Sequence, residues 1–477
     1  MKDRNPIILS IWGIISLAVA GAGCIVMYFM APMIIAGEEI SLGPWSPSEG
    51  ISFAMSADPA GMVFACTILV LWMLISLYSL GYTRGRTENY QGGYYPASII
   101  SMLAALGLCF ASDLFTFFAF YAVLAIAGYP LAAHSAAPEG KTGRVRYIIT
   151  AGAGCLTLLG SIIYIHRISG TTAFVPGGFL TEEMLPAKHA LILLLVMAAA
   201  FVLSTGVVSL HGRGRDGSAV ASPAAAVLDS VTAVNACAFG ILRTVLYVFG
   251  PKLAGACRGA YLLAWIAAGG VVLSCLCALL RKDLRARISF NTICHLAYIV
   301  MGICVLAPFS TAGAIYHIAA HSFMKAPLVM AAGVIFARTG AHDIYSIRGA
   351  GRHRPLAMMI FAAAAVGLAG MPGFAGFVSE SNILLGAAMK GRPFVIAALG
   401  AGMVLTLASL IPVVLSAFRR DETEEADDDN TEAEPLMLIP IMIACLISII
   451  LGVVPNAGFH LFDMSSMIGN SIFMPLM

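Results

Sequence analysis

Hydrophobic positions along this chain neither alternate nor gather on one helical face. They run almost unbroken for some twenty residues, stop at a short polar cluster, and begin again. A run of about twenty apolar residues, coiled as a helix, crosses the hydrocarbon core of a bilayer. Such runs fall at approximately 7–34, 59–82, 95–111, 113–133, 147–165, 189–210, 219–243, 261–280, 289–307, 312–337, 355–380, 394–418 and 436–454. The third and fourth are tightly joined at Ala111–Asp113. The pattern predicts an all-α polytopic membrane protein of about 13 transmembrane helices.

Composition agrees. Of 477 residues, 60% are hydrophobic and only 11% charged, where a soluble domain carries about a quarter charged. The first run follows Lys2 and Arg4 but is too long for the apolar core of a cleavable signal, and it reads as a retained helix. The eleven cysteines are scattered, with no CxxC pair. Cys275 and Cys277, the closest two, are spaced like neither a zinc site nor a cluster site, so the cysteines read as small core residues. No Gly-rich phosphate loop sits between a strand and a helix, and no extramembrane segment could hold a catalytic domain. Nucleotide-driven chemistry on this chain is therefore not expected, and neither is a nucleic-acid partner.

The placing of charge says more than its net value of +2. If the N-terminus is cytoplasmic, 19 of the 27 lysines and arginines fall on the cytoplasmic side and 7 on the other. Only Lys325 lies inside a span. One miscounted helix would scramble this split, so the positive-inside rule predicts N-in and C-out in a cell membrane. The acidic run "DETEEADDDNTEAE" (421–434) then lies in the last cytoplasmic loop, as a solvated connector or a docking segment for a basic partner. The apolar end, 456–477, is too short to span and reads as lying along the membrane surface.

Few polar groups remain at membrane depth. His317, His321 and Lys325 in "HIAAHSFMKAPLVM" are spaced i, i+4, i+8 and form one helical stripe. An ionisable side chain near the bilayer centre costs roughly 2.5–3.5 kcal/mol even on a lenient scale, so something should offset it. Glu380 ends the eleventh run in "MPGFAGFVSESNILLG", where Pro372 and glycines interrupt the helix. A broken helix at that depth is tolerated where it is packed in protein or lines a wet cavity. Asp229 and Asn235 fall in the seventh run, His295 in the ninth, and His211 at the Gly-rich stretch "HGRGRDG". These groups can pass protons across the midplane, or they can pair as packed interface polars. For His295 and His211 both readings stand. The two stripe histidines have no third metal ligand at matching spacing, so no metal site is expected.

Five stretches resemble a known family. They are "DPAGM" (58–62), "SDLFTFFAFYAVLAIAGYPL" (112–131), "RKDLRARISFNTICHLAYIVMGI" (281–303), "HIAAHSFMKAPLVMAAGVI" (317–335) and "GMPGFAGFVSESNIL" (370–384). In order and in register, they resemble the antiporter-like membrane subunits shared by respiratory NADH:quinone oxidoreductase (complex I), membrane-bound [NiFe] hydrogenases, formate hydrogenlyases and multisubunit cation/proton antiporters. The resemblance implies two inverted five-helix repeats, each with a broken helix, here the sixth and eleventh spans. It implies N-terminal helices and loop over 1–94, a first half over 95–243 and a second half over 244–420. An acidic loop, last helix and tail would follow over 421–477.

By the same resemblance Lys325 matches the family's central lysine, His321 its neighbouring histidine and Glu380 its terminal Lys/Glu. Asp229 falls where relatives often carry a histidine. The departures lie in the first half, where Ala122 replaces a helix glutamate, Ser204 a lysine and Asn235 another lysine. The implied function is proton or sodium translocation, through Lys325, His321, His317, His295, Glu380 and Asp229, within a redox-driven complex. No cofactor is expected on this chain; iron–sulfur clusters and nickel–iron are expected in partner subunits. Those partners would be other integral membrane subunits and a peripheral redox arm. Two alternatives stay open: a degenerate structural subunit, and a subunit of a redox-free cation/proton antiporter.

Overall fold

A computed structural model describes residues 6–48, 51–83, 91–134, 141–204, 223–339, 343–419 and 433–473. Among these, twelve helices are long and apolar enough to cross a membrane. The chain is a multi-pass integral membrane protein.

The helices α1 (Pro6–Ile35), α2 (Pro59–Thr83), α3 (Gln91–Phe110), α4 (Leu114–His134), α5 (Lys141–Ser169) and α6 (Ala187–Ser204) follow the first six apolar runs. Beyond Ser204, residues 205–222, including His211 and the expected first helix break, lie outside the described residues. The next span is segmented into α7 (Pro223–Ser230), α8 (Ala233–Arg243), a π-helical turn (Thr244–Phe249) and α9 (Gly250–Ala256). Then come α10 (Gly259–Leu280), α11 (Leu284–Cys304) and α12 (Pro308–Thr339). A short α13 (Ala350–His353) leads into α14 (Pro355–Leu368) and α15 (Ala375–Met389). The chain closes with α16 (Pro393–Phe418), α17 (Pro435–Val453) and α18 (Leu461–Phe473). The apolar run at 355–380 is thus divided between two helices, neither long enough to span alone, which is why twelve candidate spans among the described residues stand against thirteen runs.

The helix α12 is the hub. It packs against α2, α7, α11, α14, α15, α17 and α18, and its apolar window is wholly buried, whereas that of α1 is 22% buried. Buried tyrosines tie neighbours to it. Tyr78 on α2 donates to the Met330 carbonyl at 3.1 Å, and Tyr316 on α12 donates to the Leu451 carbonyl of α17 at 2.8 Å. Each phenol thereby satisfies its own hydroxyl where water is excluded.

Two hairpin turns repeat one design. Asp113 caps α4, accepting from the Phe115 and Thr116 amides at 2.8 Å each, and bridges in antiparallel fashion to Ala173. Asp283 caps α11, accepting from the Ala286 amide at 2.7 Å, and bridges likewise to Asp343. The segments between the two turns cross five times, so the turns face opposite ends of the bundle. That is the relation expected of inverted repeats.

Two features depart from the apolar pattern. Residues 35–58, which carry no spanning signal, form a hairpin of β1 (Ile40–Ser48) and β2 (Ile51–Ala57). It is fastened to the α4 turn by the Ala54 amide on Thr116 Oγ1 at 3.1 Å and the Ser112 amide on the Ala54 carbonyl at 3.1 Å. The seventh span also runs past Arg243, where the sequence reading ended it. Arg243 is only 3% exposed because Asp58, at the start of α2, holds its guanidinium with two contacts of 2.6 and 2.7 Å. Tyr247 donates to the same carboxylate at 3.1 Å, and the guanidinium lies over the rings of Phe174, Phe239 and Tyr247. A charge ends a span only when it must reach water; here it is paired. The α18 tail, by contrast, buries Leu461, Met464, Ile468 and Ile472 and packs on α12 and α2.

Removing one partner of this pair leaves Arg243 buried without its carboxylate or Asp58 half-buried without its guanidinium, at a cost of about 2 kcal/mol, below that of a fully buried pair. Asp58→Asn and Arg243→Leu should each lose about that much in chemical unfolding of the detergent-solubilised chain, and the double variant less than their sum. Additive losses would mean that the two groups do not act as a pair.

Candidate functional site

The site is assembled by α11, α12 and α15. The stripe on α12 points His317, His321 and Lys325 to one side, all three with no measurable exposure. His295 on α11 faces them: its Nδ1 is 3.2 Å from His317 Nε2, and its ring is 5.4 Å from both the His317 and His321 rings at shallow interplanar angles. Tyr298 closes one edge, its ring 5.2 Å from His295 and 5.8 Å from His317, while its hydroxyl donates to the Leu399 carbonyl of α16.

Glu380 enters from the broken helix. Between α14 and α15 the backbone turns through Gly370 (φ 72°) and Gly373 (φ 92°), around Met371 and Pro372. Gly370 is needed twice over. Its left-handed φ is strained for any L side chain, and a Cβ there would strike the Glu380 carboxylate and Met403. The break thus frees space for a carboxylate that is itself 1% exposed. One ligand-capable atom from each of His295, His317 and Glu380 lies within 4.8 Å of the others. Spacing along the sequence offered no third ligand beside the two stripe histidines; the fold supplies two, from other helices.

The hydrogen bonds around the cluster are uneven. His317 Nδ1 is 2.7 Å from Ser379 Oγ, which donates onward to the Gly376 carbonyl at 2.8 Å. In the tautomer in which Ser379 keeps that bond, it accepts from His317 Nδ1–H, and His317 Nε2 is the acceptor that faces His295 Nδ1. The Lys325 ammonium donates to the Ile288 carbonyl in the first turns of α11. His295 Nε2, both His321 nitrogens and both Glu380 oxygens have no hydrogen-bond partner among the described residues. Buried polar atoms without partners are rare and need an explanation.

The three positions singled out on α4, α6 and α8 hold uncharged side chains. Ala122 on α4 is partly buried and leaves no charge there. Ser204 ends α6, donating to Tyr121 at 3.2 Å, and Tyr121 donates to the Phe201 carbonyl at 3.2 Å. Asn235 on α8 donates to Ser322 Oγ at 2.6 Å, which joins this half to α12. Asp229 falls in α7, a helix that packs against α12, but its side chain lies outside the described residues. The fold therefore brings His295, His317, His321, Lys325 and Glu380 together, and joins Asn235 to the same helix.

Sequence reasoning missed Tyr121, Tyr298, Ser322 and Ser379. Each sits beside a residue it singled out or on the same helix, and each is a hydroxyl, a type too common in membrane helices to stand out alone.

This fold and site define a polytopic helical membrane protein with a buried line of ionisable groups beside a helix break. Residues 111–406 match the family described as NADH:quinone oxidoreductase/Mrp antiporter, TM, and the chain belongs to it. It is 26% identical to NADH-quinone oxidoreductase subunit N of Desulforudis audaxviator, over 92% of this chain and 88% of the relative. It is 24% identical to a Na(+)/H(+) antiporter subunit of Bacillus subtilis, over 87% of this chain and 83% of that protein. A chain in the Mrp complex from Dietzia sp. DQ12-45-1b shares the fold, with a TM-score of 0.82 at 18% identity over 98% of this chain and 93% of that one. The protein is thus an antiporter-like membrane subunit, and its relatives work within multisubunit membrane complexes.

The glycines at the break should not be equivalent. Gly373, with open space at its Cβ position, should tolerate Ala at about 1–2 kcal/mol, the cost of a left-handed residue. Gly370→Ala should cost clearly more, because Glu380 must also move. Thermal unfolding of the two variants in the same detergent decides this, and equal shifts would mean that the carboxylate does not need the glycine.

Proposed function

We propose that this chain translocates protons or sodium within a redox-driven, energy-converting membrane complex, through a relay of Lys325, His321, His317, His295 and Glu380. The observation that carries the reading is the meeting of five ionisable side chains, all within 1% of full burial, at a helix break. Ionisable groups are expensive at membrane depth and usually mark an ion path. Lys325 is the charge store, His321, His317 and His295 the conducting groups, and Glu380 the exit-side group. Asp229 is a further candidate from the other half. An imidazole can both donate and accept a hydrogen bond, which a relay requires. The chain supplies no electron path in this reading; partner subunits with iron–sulfur and nickel–iron centres, in a peripheral arm, provide the drive by shifting the electrostatics around Lys325.

The working units of this reading are a first, degenerate antiporter-like half over 95–243 and a second antiporter-like half over 244–420. They lie between N-terminal helices over 1–94 and an acidic loop, last helix and tail over 421–477. The paired Asp113 and Asp283 turns support the division. The bias of lysine and arginine supports a cytoplasmic N-terminus and an outside C-terminus in the cell membrane.

Two other readings have an observation each. Ala122, Ser204 and Asn235 favour a structural subunit that moves nothing, since this half carries no family charge. The antiporter relatives favour a redox-free cation/proton antiporter.

Lys325→Ala and Glu380→Gln should abolish ion translocation by membrane vesicles while the complex still assembles, and Ala122→Ser should leave translocation intact. Unchanged translocation in both relay variants would support the structural reading instead. Affinity purification of the chain in mild detergent should bring down iron–sulfur and nickel-bearing partners, measured by mass spectrometry and metal assay. Small membrane partners without metal would favour the redox-free antiporter.

A further inference from the structure

We infer that His295, His317 and Glu380 form a binding site for a divalent transition-metal ion, best suited to zinc, set across the middle of the buried cluster. The inference goes beyond the relay reading and does not depend on it. Two histidine nitrogens and a carboxylate oxygen are a donor set that zinc takes readily. The geometry is near what the ion needs. Tetrahedral zinc with nitrogen ligands at about 2.0–2.1 Å holds two of them about 3.3 Å apart, and His295 Nδ1 and His317 Nε2 are 3.2 Å apart. A carboxylate oxygen of Glu380 lies within 4.8 Å of a ring nitrogen of each histidine, and closing the site requires Glu380 to approach further.

The hydrogen bonding supports the same site. Ser379 fixes the proton of His317 on Nδ1, which orients its Nε2 lone pair towards His295 as an outer partner does for a metal-bound histidine. Without metal, His295 Nδ1–H donates to that lone pair. With metal, the ion takes the place of the shared proton, and neutral His295 carries its proton on Nε2 instead. Glu380 brings a carboxylate with neither oxygen partnered among the described residues, as a ligand awaiting an ion would have. His321 stacks on the His295 ring at 5.4 Å and lies outside the three-residue donor set, so the remaining coordination position is left to water.

The charge opposing the ion is Lys325. Its ammonium is held at the Ile288 carbonyl, seven residues before His295 on α11 and so about 10 Å along the helix. That distance lets a divalent ion bind while repelling the ammonium. A bound ion therefore excludes the proton between two histidines and disturbs the charge on Lys325 together.

The test uses the full-length chain in detergent, freed of metal by a chelator and titrated with Zn2+, with Co2+ as a spectroscopic reporter. One tight site is expected, and bound Co2+ should show ligand-field bands without a thiolate charge-transfer band, which separates this site from the eleven cysteines. His317→Gln and Glu380→Gln should each weaken Zn2+ binding about tenfold or more. His460→Gln, at an exposed histidine outside the cluster, should not. Size-exclusion profiles identify any variant that fails to fold, and His295→Gln then takes its place.

Unchanged binding in the ligand variants, a thiolate band, or no Zn2+ binding at all overturns the site. Lys325→Ala should bind Zn2+ at least as well as the native chain. Failure of metal binding with transport still lost in Lys325→Ala removes the site and keeps the relay. Metal binding with transport unaffected by Lys325→Ala does the reverse.

Discussion

The structure turns on the need to keep Lys325 and the histidines of α12 away from lipid. Ionisable groups at membrane depth face a solvation cost that lipid cannot offset, so the helix carrying them must be enclosed on every side. Enclosure explains why α12 has no exposed stretch along its apolar core and why seven other helices lie on it. It also fits the phenols of Tyr78 and Tyr316, which reach carbonyls between α12 and its neighbours. The outer helices carry the opposite solution: α1 exposes Ile14, Ile25, Phe29 and Tyr28, side chains that lipid or a neighbouring subunit accepts at no such cost.

Polar groups are handled differently along the chain. A break between α14 and α15 creates a niche that only glycine at 370 permits, and Glu380 fills it. Helices α4, α6 and α8 carry Ala122, Ser204 and Asn235, with Tyr121 bonded to Ser204. These hydroxyls and this amide can hold a hydrogen-bond chain, but none carries a net charge at neutral pH. The Asn235–Ser322 bond nevertheless ties α8 to the helix that carries Lys325. The charge pair of Arg243 with Asp58 serves packing: it allows a π turn and a further helix to continue a span past an arginine.

Some expectations were legible because they depend on local chemistry alone. Runs of apolar residues long enough to cross a bilayer locate the spans to within a few residues, and the glycines and proline of "GMPGFAGF" mark the break in the eleventh. A stripe at i, i+4, i+8 puts His317, His321 and Lys325 on one face in any α-helix. The β hairpin over 40–57 was not legible, since its strands are short and its fastening depends on Thr116 and Ser112 far along the chain. The extension beyond Arg243 was hidden for the same reason, because its permission comes from Asp58, 185 residues earlier.

By itself, then, the sequence determined the membrane class, the order of the spans and which ionisable residues must be enclosed, because bilayer thickness and helical period act on contiguous residues. Only the tertiary structure decided which of those residues meet. His295 approaches His317 across two helices, Glu380 arrives from a helix break, and Ser379 fixes a tautomer from the same turn. Such contacts between side chains distant in sequence follow from helix packing, which no local pattern encodes.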